Sequence, residues 1–228
     1  RGYQIGEITV PLNLSYEFHR YIITGIYEEG FCNWIEKNVH PAWICVDGGM
    51  NVGYITALLK RKGATVHAFE PSRLAVSLFR IFNPNPPKDL LISQNALYKR
   101  SGSLLTFHDG NRVLERGYGT LSKVNRPQKS HVIETKGFRL DDLSHIDFIK
   151  LDLEGGELYA LEGMSNHLAN HRVRYILIEH TPGDKLKFKL FKKGYWPHRI
   201  KRNRNLIRVD IQTVALEKED IMWAYLHG

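Results

Sequence analysis

The 228-residue sequence predicts an α/β fold, a mostly parallel sheet with helices on both faces. Three observations predict it. Short apolar runs alternate with amphipathic stretches, as parallel strands joined by crossover helices require. The first such run leads straight into a glycine-rich turn, Asp47-Gly48-Gly49-Met50-Asn51-Val52-Gly53. The second ends on an acid, Glu70, 23 residues after Asp47.

Taken in order, the first segment reads as helical. Tyr16, Phe18, Tyr21, Ile22 and Ile26, then Phe31, Trp34, Ile35 and Val39, recur at spacings near three and four up to a break at Pro41. This predicts an N-terminal helical cover over residues 1–40, part of the same domain as residues 41–228. The apolar run 43–46 is the first strand. Residues 52–62 form a helix with basic residues in its last turn and Gly63 as its stop. A strand over 65–69, a helix over 72–82 and a strand over 90–94 follow, with a rigid Asn83-Pro84-Asn85-Pro86-Pro87 turn between the last two. Residues 96–145 break the rhythm. Turn residues such as Gly102, Asp109-Gly110 and Gly117 separate short stretches at 104–107, 120–124 and 131–135, a β-rich excursion. Alternation resumes with a strand at 146–151, a helix at 157–168, a strand at 175–179 and a helix at 185–192. Strands near 207–216 and 221–226 end the chain.

The length suits one domain with a full core, and 43% hydrophobic with 25% charged residues excludes a disordered or fibrous chain. No apolar run reaches the roughly 18 residues of a membrane span. No signal-peptide pattern opens the sequence, and Cys32 and Cys45 are too few for a disulfide framework, which predicts a cytoplasmic protein. The net charge of +8 is uneven: residues 185–208 carry six Lys, four Arg and no acid, leaving the remainder at −2. Such a strip suits an anionic substrate, an acidic lipid surface or nucleic acid, or is simply a solvated basic face.

In open α/β sheets ligands bind at the carboxyl ends of the strands. The glycine turn fails the dinucleotide pattern G-x-G-x-x-G, because Met50, Asn51 and Tyr54 occupy the needed positions, and no phosphate loop G-x-x-x-x-G-K-[ST] exists. What remains is an acid before Gly49-x-Asn51-x-Gly53, with Glu70 placed to accept both hydroxyls of a ribose. A carboxylate there, without a phosphate loop, suits a cofactor with a cationic amino-acid end, such as S-adenosylmethionine. The 148–157 segment, Phe-Ile-Lys-Leu-Asp-Leu-Glu-Gly-Gly-Glu, then clusters acids at the fourth strand's end. Glu157 reads as a complement to the next helix's dipole; Asp152, still at the strand end, does not.

The segments 46–54, Phe69-Glu70-Pro71, Asn95-Ala96-Leu97, Leu140-Asp141-Asp142-Leu143 and 147–157, in this order, resemble the FkbM family of class I methyltransferases. The resemblance covers roughly residues 27–195. It implies a Rossmann-like, seven-stranded sheet with an antiparallel last strand that binds S-adenosylmethionine. Met50 departs from the alanine more usual there. Carried over, the turn of Asp47, Gly48, Gly49, Asn51 and Gly53 would hold the cofactor's methionine end, Glu70 with Pro71 its ribose, and Asn95 with Ala96 its adenine. Asp152 would lie near the methionine end or the transferring methyl.

For the acceptor, the resemblance points to hydroxyls of sugars, glycans or natural products. A neutral alcohol is a weak nucleophile, so a general base is expected. Glu154 and His180, with Asp152, are the candidates at strand ends. These three could instead ligate a divalent cation, but no tight ligand motif marks them, and the metal is left unknown. Phe107, His108, Tyr118, Phe138, Tyr195, Trp196 and His198 would suit a sugar-binding rim, although each reads equally as a packing residue. The expected partner is a carbohydrate or glycan acceptor, and the basic strip fits an anionic one. The place after the fourth strand lacks the Asn-Pro-Pro-aromatic loop of base methylation. RNA ribose 2′-O-methylation, with nucleic acid the less favoured partner, and a non-catalytic cofactor-binding module of a larger enzyme are the alternatives.

Overall fold

The computed structural model describes residues 2–12, 22–24, 29–110, 121, 130–180, 186–201, 205–214 and 219–225. The chain opens with a β-hairpin, β1 (Gly2–Ile5) and β2 (Ile8–Pro11), where a helical cover is the sequence expectation. Ile5, Ile8 and Val10 are buried, and Gly6, at φ 57°, makes the turn. Asn83 clamps this hairpin as an added strand residue would: it accepts from Thr9 N and donates to Thr9 O, both at 2.8 Å. Helical structure at 22–24 and α1 (Glu29–Asn38) follows, with Phe31, Trp34 and Ile35 buried. Most of the expected helix around residues 16–26 lies outside the described residues.

The alternating part forms as its apolar runs predict. It comprises β3 (Ile44–Gly48), α2 (Tyr54–Arg61), β4 (Thr65–Phe69), α3 (Arg73–Phe82) and β5 (Leu90–Ser93). Ser72 caps α3, its Oγ accepting from Ala75 N at 3.3 Å. The excursion supplies β6 (Asn95–Leu97), β7 (Leu104–Gly110) and β8 (Ser130–Phe138), a separate three-stranded sheet ordered β6-β8-β7. Asp109-Gly110 is therefore strand, not turn. Of the stretch expected at 120–124, only Leu121 is described.

Beyond it come β9 (Phe148–Leu151), α4 (Glu157–Gly163), α5 (Ser165–Ala169), β10 (Tyr175–His180) and α6 (Leu186–Phe191). The single helix expected at 157–168 breaks at Met164. Just before the break, Gly163 packs on the backbone of Tyr98, where a Cβ would stand 2.3 Å from the Tyr98 carbonyl oxygen. The chain ends with β11 (Trp196–Ile200), β12 (Leu206–Arg208) and β13 (Glu219–Ala224).

The main sheet is ordered β12-β11-β13-β10-β9-β3-β4-β5. β3, β4, β5, β9 and β10 are mutually parallel, and β13 inserts antiparallel between β10 and β11. The seven strands implied by the resemblance are present with the last antiparallel. An eighth is added where the chain after β11 doubles back as β12. Both faces are covered, as alternate residues of β9 show. Phe148 joins a cluster with the hairpin and the first three helices (Val10, Trp34, Leu59, Phe79), and Ile149 joins one with the last three (Leu161, Leu168, Leu190).

The turn into α2 depends on glycine. Gly53 sits at φ 88°, and a Cβ there would be 2.5 Å from the buried ring of Phe79 on α3. We predict that Gly53→Ala lowers the unfolding free energy by about 2–4 kcal/mol, read as a urea midpoint shift, from left-handed backbone strain plus displacement of Phe79. An unchanged midpoint would show that this packing is not required.

Candidate active site

The parallel strands bring most of the sequence-selected residues to one edge of the sheet. Asp47 and Gly48 end β3, Glu70 and Pro71 follow β4, Asp152 follows β9 and His180 ends β10, all at carboxyl ends. Asn95 and Ala96 lie in β6 beside β4, and Glu154 lies in the loop before α4.

The glycine turn is fixed by its neighbours. Gly49 and Met50 both donate to the Phe69 carbonyl, at 3.0 and 3.1 Å, which ties the turn to the end of β4. Gly49, at φ 78°, lies so close to β9 that a Cβ would stand 2.0 Å from the Asp152 carbonyl oxygen. Asn51 takes a positive φ of 51°, and its amide donates to Glu70 Oε2 at 2.8 Å.

Asp47 is fully buried. Thr56 donates its hydroxyl to Oδ2 at 2.6 Å, and Lys150, directly opposite in the β3–β9 register, places Nζ 3.9 Å from Oδ1. That ammonium also donates to the Gly49 carbonyl at 3.2 Å and pairs with Asp152 at 3.2 Å. Burial pushes the Asp47 carboxyl above the ordinary range, while Lys150 and Thr56 pull it back. Thr56, Ser72 and Asp109 are contributors that motif reasoning missed, and Lys150, inside its strand, carries no active-site role on motif grounds. For Lys150 a signal existed: a lysine inside a fully buried strand needs a partner.

Glu70 is buried, its Oε1 accepting from Ser72 N at 2.9 Å and its Oε2 from Asn51 N. Burial drives its carboxyl up to about 7, against these two amide donors. Asn95 donates from Nδ2 to the Lys136 carbonyl at 3.1 Å, so it is held by the small sheet.

At the other end of the edge, Glu154 is half-buried in a left-handed bend, φ 50°. Glu157 pins that bend by accepting from Leu153 N at 2.7 Å, which is more than a dipole partner at the start of α4. His180 is fully buried, and Trp223 donates its indole N–H to His180 Nε2 at 2.9 Å. That bond places the imidazole proton on Nδ1. Among the described residues, no group of three His, Cys, Asp or Glu could hold a metal ion, and no helix is long and apolar enough to cross a membrane.

The aromatic rim does not form from the residues proposed for it. Phe107, His108, Tyr195 and His198 are buried, Tyr195 donating its hydroxyl to the Val173 carbonyl, and Phe138 packs on Phe69 with ring centroids 4.7 Å apart. Trp196 alone is exposed, under the Arg208 guanidinium; Tyr118 lies outside the described residues.

Lys150→Met would leave Asp47 buried beside no cation. We predict a loss of about 3–5 kcal/mol of stability, partly restored by adding Asp47→Asn. Chemical denaturation of both single variants and the double variant measures this, and strict additivity would refute the coupling.

Residues 47–195 match the family model described as the methyltransferase FkbM domain. No curated protein matches the chain. Among solved structures it is similar to a TehB-like SAM-dependent methyltransferase from Corynebacterium glutamicum, at 12% identity and TM-score 0.48 over 91% of this chain and 94% of that one. It is also similar to an rRNA methylase from Streptococcus thermophilus, at 13% identity and TM-score 0.48 over 86% and 95%. A third is the magnesium protoporphyrin IX methyltransferase from Synechocystis with bound SAM, at 13% identity and TM-score 0.47 over 90% and 82%. The family match spans more than half of the chain and takes in the glycine turn, Glu70, Asn95 and the acids after β9, so the chain belongs to the FkbM family of S-adenosylmethionine-dependent methyltransferases and has their class I fold.

Proposed function

We propose that this chain is an O-methyltransferase that moves the methyl group of S-adenosylmethionine to a hydroxyl of a sugar or glycan. The observation that carries the reading is Glu154, a carboxylate held in a left-handed bend by Glu157, two residues beyond Asp152 at the end of β9. Uncommon backbone held by its surroundings marks functional positions.

The residues present fit a cationic cofactor. Asp47 Oδ1 and Asn51 Oδ1 are buried and receive no hydrogen bond, and the carboxylates of Asp47, Asp152 and Glu70 outnumber the one ammonium, Lys150, among them. Asp47, Gly48, Gly49, Asn51 and Gly53 would face the methionine end, Glu70 and Pro71 the ribose, and Asn95 and Ala96 the adenine. When bound, the cofactor supplies an electrophilic methyl on a sulfonium. Asp152, paired with Lys150, would lie near the methionine end or the transferring methyl. Glu154 takes the acceptor's hydroxyl proton. His180 Nε2 already accepts from Trp223, which leaves Glu154 the better placed of the two to act as the base.

The test is mass spectrometry of candidate acceptors incubated with isotopically labelled cofactor. Label on a sugar hydroxyl is expected, with Glu154→Gln lowering kcat by about 10²–10⁴-fold at unchanged cofactor affinity and His180→Ala costing less. Label on RNA with steep salt dependence would replace the reading by ribose 2′-O-methylation. Cofactor binding without transfer to any acceptor would leave a binding module.

Glu70 makes a second prediction. Ribose hydroxyls donate best to an ionised carboxylate, so cofactor affinity should rise with pH through about 7 and level off above it. Stability moves the opposite way. The folded carboxyl holds its proton up to about 7, against an ordinary value of 4.5, so its contribution is full below 4.5 and lost as pH rises through 7. Calorimetric titration and thermal melts across this range check both signs, and Glu70→Gln should flatten both profiles.

A further inference from the structure

We infer that Asp109, carried on β7 of the small sheet, is a positioning residue of the cofactor's ribose site that acts on Glu70 through Ser72. The inference rests on the reading of Glu70 as the ribose-binding acid.

The geometry is a continuous chain of hydrogen bonds between two separate sheets. Ser72 Oγ donates to Asp109 Oδ2 at 3.0 Å and itself accepts from Ala75 N at 3.3 Å. The Ser72 amide donates to Glu70 Oε1 at 2.9 Å, and Asn51 N donates to Oε2. One carboxyl therefore touches the glycine turn on one oxygen and the Asp109-anchored cap of α3 on the other. Asp109 is itself buried, 9% exposed, although it lies 37 residues from Ser72 in the chain.

A helix cap alone does not need this acid. Ser72 caps α3 by accepting from Ala75, and a neutral acceptor would hold its hydroxyl equally well. A second buried carboxylate next to Glu70 instead adds desolvation and repulsion, which a fold tolerates where the charge has a use. Among the described residues, the charged groups that act on Glu70 include Asp109 from β7, which favours its protonated form, and Lys150 from β9, which opposes it. Asn95, bonded to the Lys136 carbonyl on β8, ties a second cofactor-side residue to the same small sheet. The excursion is thus a wall of the adenosine side through its strands.

The experiment is calorimetric titration of S-adenosylhomocysteine into the full chain as a function of pH. Asp109→Asn keeps an acceptor for the Ser72 hydroxyl but removes the charge. It should move the midpoint of the affinity profile to lower pH than wild type, with alkaline affinity within about twofold of wild type. Asp109→Ala should weaken alkaline affinity about tenfold, and Ser72→Ala combined with it should weaken it no further. An Asp109→Asn midpoint equal to that of wild type, or an Asp109→Ala variant that melts earlier yet binds normally, would overturn the positioning role. A flat wild-type profile would overturn the Glu70 reading itself, and this inference with it.

Discussion

The ion network of Asp47, Lys150 and Asp152 at the centre of the main sheet constrains everything built around it. Lys150 and Asp47 face each other across β3 and β9 in a region nearly closed to water, 7% and 0% exposed. Charges there persist only when paired and hydrogen-bonded. A one-residue slip of β9 would carry Lys150 to the opposite face and leave Asp47 without its cation. The network thus fixes the register of the two central strands. Gly49 makes the same demand through the backbone, since no Cβ fits against the Asp152 carbonyl. Charge pairing and close approach together place the ends of β3 and β9 side by side, at the edge proposed for cofactor and acceptor.

From that edge the site divides into two halves with different supports. The half toward β4 and β5 is held by backbone amides on Glu70 and by side-chain bonds from the small sheet. The half toward β10 is held by Glu157 under the Glu154 bend and by Trp223 on His180. Lys150 touches both, through Gly49 and Asp152. On the proposed roles of Glu70 and Glu154, cofactor affinity and methyl transfer are separately perturbable, because the supports of the two residues share no side chain among the bonds described.

What the sequence makes legible follows from how local each cause is. The strand at 65–69 has the predicted bounds because a parallel strand buried on both faces reads as an unbroken apolar run. The glycine turn and Glu70 are legible because positive φ and a strand-end acid leave marks in a few consecutive residues. The hairpin at residues 2–11 escapes notice because its strands are only four residues long, too short for alternation to be distinctive. β11 escapes because Pro197 argues against a strand and its cations read as surface, yet Pro197 and His198 are buried. The partners escape for a different reason. Asp109 meets Ser72, and Trp223 meets His180, from 37 and 43 residues away, and only the closed sheets bring them together.

The basic strip changes meaning once its strands are placed. β11 pairs with β13 so that Trp196 lies level with Ala224, which itself pairs with Tyr175 at the start of β10. The strip therefore climbs the sheet from its amino edge, and Lys201, just past Ile200, lies at the edge where β10 ends in His180. Several of its cations are engaged on the way. Lys187 donates to the Val214 carbonyl, Lys189 pairs with Glu162, and Arg208 covers Trp196. Among the described residues, Lys201 lies at the active-site edge, its backbone amide donating to the Asn205 carbonyl at 3.0 Å. Tracking a nucleic-acid backbone takes a longer row of contacts, about 6–10 phosphates for strong binding. With Lys187, Lys189 and Arg208 engaged elsewhere, the described cations of the strip are not all available for such a row.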